Sequence, residues 1–253
     1  MKTLKITISL LGIFLFLFPL KTVAQNQMYT IHADYVKPAM EKEYVDVSKA
    51  FIAECKKYNL QDADWMQARL DNGTYITIEA IPNMAALDVN SFAPLADKMG
   101  KEKFQALVDR YAKCYDKHGS FNLSLIKDLS YMPDGATAAQ EGMNYRKYHY
   151  LFVTPSTSKL VREKMKTITD LYVKKGSKEY FRAYHSGYGT LEEFFLVVIS
   201  AKDEQSYAKQ SDENDVLIGD EGTKLFDDLF KTVSRYEPLS GKMLPELSYA
   251  AKK

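Results

Sequence analysis

The sequence predicts an α+β fold in which a β-α-β-β-α-β unit occurs twice along the chain. Three observations predict it. A phrase recurs: Leu129-Ser130-Tyr131 returns as Leu247-Ser248-Tyr249, and Gly73-Thr74 returns as Gly189-Thr190 at nearly the same spacing. In each half an alternating segment ends at a proline, Pro38 or Pro155. Each proline is followed by an apolar stripe of helical period and then by a hairpin signal.

The first strand is expected over Met28 to Val36, where Tyr29, Ile31, Ala33 and Tyr35 alternate with Thr30, His32 and Asp34. A helix follows from about Ala39 to Tyr58. Met40, Tyr44, Val47, Phe51, Cys55 and Tyr58 form its stripe. Trp65 to Leu70 and Thr74 to Ile81 flank Asp71-Asn72-Gly73, a turn that pairs Arg69 with Tyr75 and Gln67 with Thr77. A short helix near Asn83 to Val89 and a longer one over Lys101 to Lys117 come next, with His118 at the helix end. Ser124 to Tyr131 closes the half as a short strand.

The second half repeats this order. Tyr148 to Val153 is a strand, and Ser158 to Lys175 a helix with Val161, Met165, Ile168 and Tyr172 on one stripe. Tyr180 to Ser186 and Glu192 to Ser200 form a hairpin around Gly187-Tyr188-Gly189. The polar stretch Glu204 to Gly222 reads as loop. Thr223 to Tyr236 reads as helix, and Lys242 to Tyr249 as a closing strand.

The N-terminal segment reads differently. Lys2 and Lys5 precede an apolar run from Ile6 to Leu20, followed by small Ala24, the pattern of a secretory signal cleaved near Ala24. The expected organisation is a signal peptide over residues 1–24, a first unit over 25–132, a linker over 133–144 and a second unit over 145–253. The product would be exported to the periplasm or beyond, with no stable membrane span. Without Lys2, Lys5 and Lys21 the 34 basic residues fall to 31 against 33 acidic ones. That balance speaks against nucleic acid as a partner, because phosphate binding needs concentrated positive charge. A monomer is expected. Cys55 and Cys114 are the only cysteines, and in an exported chain they are candidates for one disulfide; two buried free thiols are the alternative.

The element order is that of a ferredoxin-like unit. Over Met28 to Tyr131 and Tyr145 to Tyr249 it resembles the dimeric α/β-barrel superfamily, in the form where both halves sit on one chain. The resemblance implies two ferredoxin-like repeats whose sheets pack face to face as an intramolecular dimeric barrel. Members include haem-degrading and quinol-type monooxygenases, chlorite-dismutase-like haem proteins and small isomerases, so the resemblance implies no single activity.

The helix-free face of the first sheet is expected to line the space between the sheets. It carries Thr30, His32, Gln67, Arg69, Thr77 and Glu79, with Trp65 and Tyr75. Matching the two halves sets His149 against His32 and His185 against Arg69. The ligand-binding candidates are therefore His32, Arg69, Glu79, His149, His185, Trp65 and Tyr75. Arg69 could grip a carboxylate or phosphate, a histidine beside a carboxylate could move protons, and the aromatic rings could stack on a ligand. No catalytic residue is assigned, and no His-x-x-His, Glu-x-x-His or Cys-x-x-Cys spacing predicts a metal. No cofactor is predicted, although haem is retained as an alternative. The reading is an exported small-molecule-binding protein, with its status as an enzyme left open. The alternatives are a non-catalytic envelope module and a monooxygenase-like or haem-binding enzyme.

Overall fold

The computed structural model describes residues 27–251, apart from residues 62 and 139. The predicted signal segment lies outside them. The strands are β1 (Met28–Val36), β2 (Met66–Leu70), β3 (Thr74–Ile81), β4 (Tyr115–Leu125), β5 (Tyr145–Val153), β6 (Phe181–Ser186), β7 (Glu193–Ala201) and β8 (Arg235–Met243). The helices are α1 (Glu41–Lys57), α2 (Ala93–Met99), α3 (Lys101–Cys114), α4 (Ser158–Lys175) and α5 (Glu204–Phe230).

All eight strands join one closed antiparallel barrel in the order β1-β3-β2-β8-β5-β7-β6-β4. This corrects the expectation of two tandem repeats with their sheets face to face. The half-sheets do not stack; their edges hydrogen-bond. β2 pairs with β8 through Ala68↔Met243, Arg69↔Lys242 and Leu70↔Gly241, and β4 pairs with β6 through Leu123↔Ser186, Ser124↔His185 and Leu125↔Tyr184. Closure leaves no open edge, so backbone groups that two separate sheets would expose are paired.

The local reasons for the elements are plain. Asn72-Gly73 turns the β2–β3 hairpin with Gly73 at φ +84°, and the expected register holds, with Gln67↔Thr77 and Arg69↔Tyr75. Gly176 ends α4 in the left-handed conformation. Asp203 caps α5 by accepting the Ser206 N–H. The stretch expected to be a loop after Glu204 is therefore helical; the chain kinks at Gly219 (φ +55°), which places Ile218 and Leu229 in one core. Strand β4 starts at Tyr115, so His118 lies on a strand and not at a helix end.

Alternation sorts each strand into two faces. One face, with Ile31, Ala33, Ala68, Leu70, Ile76, Leu123, Tyr148, Phe152, Phe194, Leu196 and Met243, forms a core that contains no helix residue and fills the barrel. The other face lies beneath the helices. In the first half it packs on α1, α2 and α3, in the second on α4 and α5. The polar face predicted to line the interior is thus the outward one. Parity separated the two faces correctly; their assignment to inside and outside was reversed.

The repeated Leu-Ser-Tyr phrase is not a strand. Each copy begins on the last residue of a single 3-10 turn and latches onto the opposite half. Tyr249 pairs with Trp65, and Tyr131 with Phe181. Ser248 Oγ accepts the Gln67 N–H at 2.9 Å, as Ser130 Oγ accepts the Ala183 N–H at 2.9 Å. Leu129 and Leu247 are buried anchors.

Cys55 and Cys114 are free, buried thiols, so the disulfide expectation is corrected. Both sit in the core under α1 and α3, and burial pushes the Cys55 thiol up to about 12.

The β6–β7 turn packs tightly on β4. Gly189 has φ +93°, and a Cβ there would stand 2.5 Å from the Ser120 carbonyl oxygen. Gly189→Ala should therefore destabilise the protein by about 2 kcal/mol through backbone strain and displacement of β4. Urea denaturation checks this; an unchanged midpoint would contradict the assigned turn.

Candidate functional site

Among the described residues, each half has a cavity between the barrel wall and its helices. The first, about 300 Å³, is lined by residues that include His32, Asp34, Trp65, Gln67, Thr77 and Glu79. All but Trp65, which directly precedes β2, come from the outward face of β1, β2 and β3. The second, about 220 Å³, is lined by residues that include His149, Tyr172, Glu179 and Tyr236.

Beside the first cavity, the exposed His118 converges with two of the cavity's lining residues, His32 and Asp34. Antiparallel pairing sets Asp34 opposite His118 and His32 opposite Ser120. A register shift between Asp34 and Val36 locally distorts β1 against β4. His32 Nε2 lies 3.1 Å from Asp34 Oδ1, and the candidate ligand atoms of His32, Asp34 and His118 all fall within 4.8 Å of one another. His32 and Asp34 each have a further partner. His32 Nδ1 meets Ser120 Oγ at 2.8 Å, and Tyr44 donates its hydroxyl to Asp34 Oδ2 at 2.7 Å. Gln67 accepts the Thr77 hydroxyl at 3.0 Å, while its buried Nε2 has no partner among the described residues. Burial raises the Glu79 carboxyl above its usual range.

The predicted candidates divide. His32, Trp65 and Glu79 share the first cavity. Arg69 and Tyr75 do not line it: Arg69 pairs with Glu41, and Tyr75 donates to the same carboxylate at 3.0 Å. Together they fasten the first turn of α1 to the sheet, and Arg69 holds the Glu41 carboxyl below its usual range. His149 lines the second cavity, where its Nδ1 meets the Tyr236 hydroxyl at 2.7 Å and burial lowers it to about 4. His185 lies 2.9 Å from Glu193, which also accepts the Ser158 hydroxyl. The predicted meeting of the two halves' histidines on one surface does not occur, because the two outward faces lie under different helices.

Sequence reasoning passed over Asp34, His118 and Glu179. The His32-x-Asp34 spacing on one strand face was visible; its partner His118 was hidden because β4 begins at Tyr115, inside the stretch read as helix. Glu179 precedes β6 in a segment without periodicity, and nothing in the sequence distinguishes it.

Among the described residues no helix is long and apolar enough to cross a membrane. No protein-family model matches the chain, and no curated protein matches its sequence. Solved structures do match. A provisionally assigned monooxygenase from Lactobacillus acidophilus NCFM superposes with a TM-score of 0.54 at 10% identity, over 87% of this chain and 94% of that one. An anthrone oxidase-like protein gives 0.55 at 8% identity, over 91% and 95%. A mutant chlorite dismutase from Candidatus Nitrospira defluvii gives 0.50 at 10% identity, over 87% and 92%. At such identities the likeness is one of fold: this chain has the eight-stranded barrel fold seen in those monooxygenase-like and chlorite dismutase structures.

Proposed function

We propose that the chain is a metal-dependent, monooxygenase-like enzyme that acts on a small, largely apolar molecule in the first cavity. The observation that carries this reading is the convergence of His32, Asp34 and His118, the first two on the cavity wall and the third exposed beside them. Two imidazoles and one carboxylate are the donor set of non-haem iron(II) oxygenases, with positions left open for substrate and oxygen. The surrounding contacts suit that role. Ser120 engages the other nitrogen of His32, and Tyr44 orients Asp34, as partners outside a ligand sphere do. Iron bound there would supply oxygen activation. The chain's own residues would hold the substrate: Trp65 and Phe51 offer ring faces, and the unpartnered Gln67 Nε2 offers a donor to a substrate oxygen.

Haem fits less well. It takes an axial histidine in a large apolar pocket. Each cavity has one histidine on its wall, but His32 is engaged by Ser120 and Asp34 and His149 by Tyr236, and cavities of about 300 and 220 Å³ are small for a macrocycle. Sites for drug-sized ligands already run to roughly 300–1,000 Å³.

Titration of the chelator-treated protein with iron(II), and with cobalt(II) as a spectroscopic probe, tests the proposal. One equivalent should bind. Tyr44→Phe should weaken binding by about 10- to 100-fold, and His118→Ala by more. Iron-loaded protein should take up oxygen with anthrone or a hydroquinone as substrate. Equal metal affinity in His118→Ala and the parent would overturn the site.

A further inference from the structure

The second cavity has a different chemistry. It lies between the β5–β7 sheet and helices α4 and α5. Its lining includes two carboxyl groups, Glu179 and Asp215, and several aromatic rings, but no lysine or arginine. Glu179 is 4% exposed. Its Oε2 accepts the Tyr172 hydroxyl at 3.0 Å, while its buried Oε1 has no partner among the described residues.

The carboxyl is held firmly. Asn214 Nδ2 donates to the Tyr172 hydroxyl at 2.8 Å, Ser177 Oγ donates to Asn214 Oδ1 at 2.6 Å, and the Glu179 N–H donates to Ser177 Oγ at 3.0 Å. This closed chain of bonds fixes one oxygen and leaves the other free. A fully satisfied network with a single vacant acceptor is unusual in an interior, where polar groups are paired.

We propose that this cavity binds a small organic ammonium ion of aryl-alkyl amine type, with its ammonium on Glu179 and its ring among the aromatic side chains. The lining excludes an anion, since it offers two carboxyl groups and no cation. Ring faces attract an ammonium group; Tyr172, Tyr207, Phe181 and Phe230 supply them here. Asp215 is exposed and would draw a cation to the mouth. The titratable groups that share the cavity with Glu179 are Tyr172 from α4, Asp215 and Tyr207 from α5, His149 from β5 and Tyr236 from β8. Burial keeps His149 neutral, so it adds no competing charge. Burial and Asp215 raise the Glu179 carboxyl, which an arriving cation would reverse.

Isothermal calorimetry on the full chain at about pH 8, where free Glu179 is ionised, tests this with phenethylamine, phenethyl alcohol and phenylacetate. The amine should bind at least about tenfold more tightly than the alcohol, and phenylacetate should not bind. Glu179→Gln should abolish the preference, and Asp215→Asn should weaken amine binding a few-fold. His118→Ala should leave amine binding unchanged, which separates this site from the metal site. The comparison of the three probes needs no variant and stands even where Glu179→Gln folds poorly. Alcohol binding as tight as amine binding, absence of saturable amine binding, or undiminished amine binding by Glu179→Gln would each overturn the proposal.

Discussion

The contribution of Glu179 to stability should fall by about 3 kcal/mol as the pH rises from about 4.5 to about 7, while His149, lowered to about 4, acts in the opposite sense over much of that range. Burial raises this carboxyl from 4.5 to about 7, opposed in part by the Tyr172 hydrogen bond and assisted by Asp215. Each unit of such a difference corresponds to about 1.4 kcal/mol. The sign follows from which state holds the proton. Below pH 4.5 the carboxyl is protonated in both the folded and the unfolded chain, and its contribution is fully present. Between 4.5 and 7 the unfolded chain releases the proton while the folded chain keeps it, so stability declines. Above 7 both are ionised and the decline stops. Carboxylates with lowered values, such as Glu41 beside Arg69, act in the opposite sense and at lower pH. Urea denaturation across this range should show the parent losing about 3 kcal/mol relative to Glu179→Gln, since the other titrating groups, His149 among them, are common to both proteins. Identical slopes in the two proteins would contradict the buried, unpaired carboxyl.

Trp65→Ala should cost about 3–5 kcal/mol, the range for deleting a large buried aromatic side chain. Trp65 is 7% exposed and stacks on Tyr249 with ring centroids 5.0 Å apart. Phe51 and Phe92 flank it, and its Nε1 donates to the Leu247 carbonyl at 3.1 Å. Its backbone exchanges two hydrogen bonds with Tyr249, whose hydroxyl reaches the Leu60 carbonyl at 2.7 Å. Removing the indole would loosen both the core under α1 and the seat of the C-terminal latch. Trp65→Phe keeps most of the contact and should cost only about 1–2 kcal/mol, mainly the lost indole hydrogen bond. Chemical denaturation of both variants checks the order; an equal loss in the two would contradict the packing described.

The hairpin at Asp71-Asn72-Gly73 was legible because turn chemistry fixes register over a few residues. The stripes of α1 and α4 were legible because period 3.6 is a local property. Barrel closure was not, because β2–β8 and β4–β6 join residues far apart in the chain and short edge strands carry no mark of their partner. The polar set around His32 and Gln67 was found as a set, yet placed on the wrong side of the wall. Alternation defines two faces and does not say which one the helices will cover. His118 was missed for a related reason: the polar run from Asp116 to Ser120 shows neither period clearly, and only its pairing with β1 makes it a strand. Helix α5 shows the same limit, since a cap at Asp203 and tertiary packing outweigh a polar composition.

The crossed Leu-Ser-Tyr latches have a kinetic consequence. Each half is finished by a tail that belongs to the other, and the indole of Trp65 finds its carbonyl acceptor 182 residues away. No early local nucleus can make the Trp65–Leu247 contact, because the whole intervening chain must be gathered first, and even the Ser130–Ala183 contact spans 53 residues. Folding should therefore be slow for a protein of this size, as it is for chains dominated by distant pairings. Unfolding, in turn, should proceed as a single cooperative event, since freeing either tail exposes the hairpin edge of the opposite half.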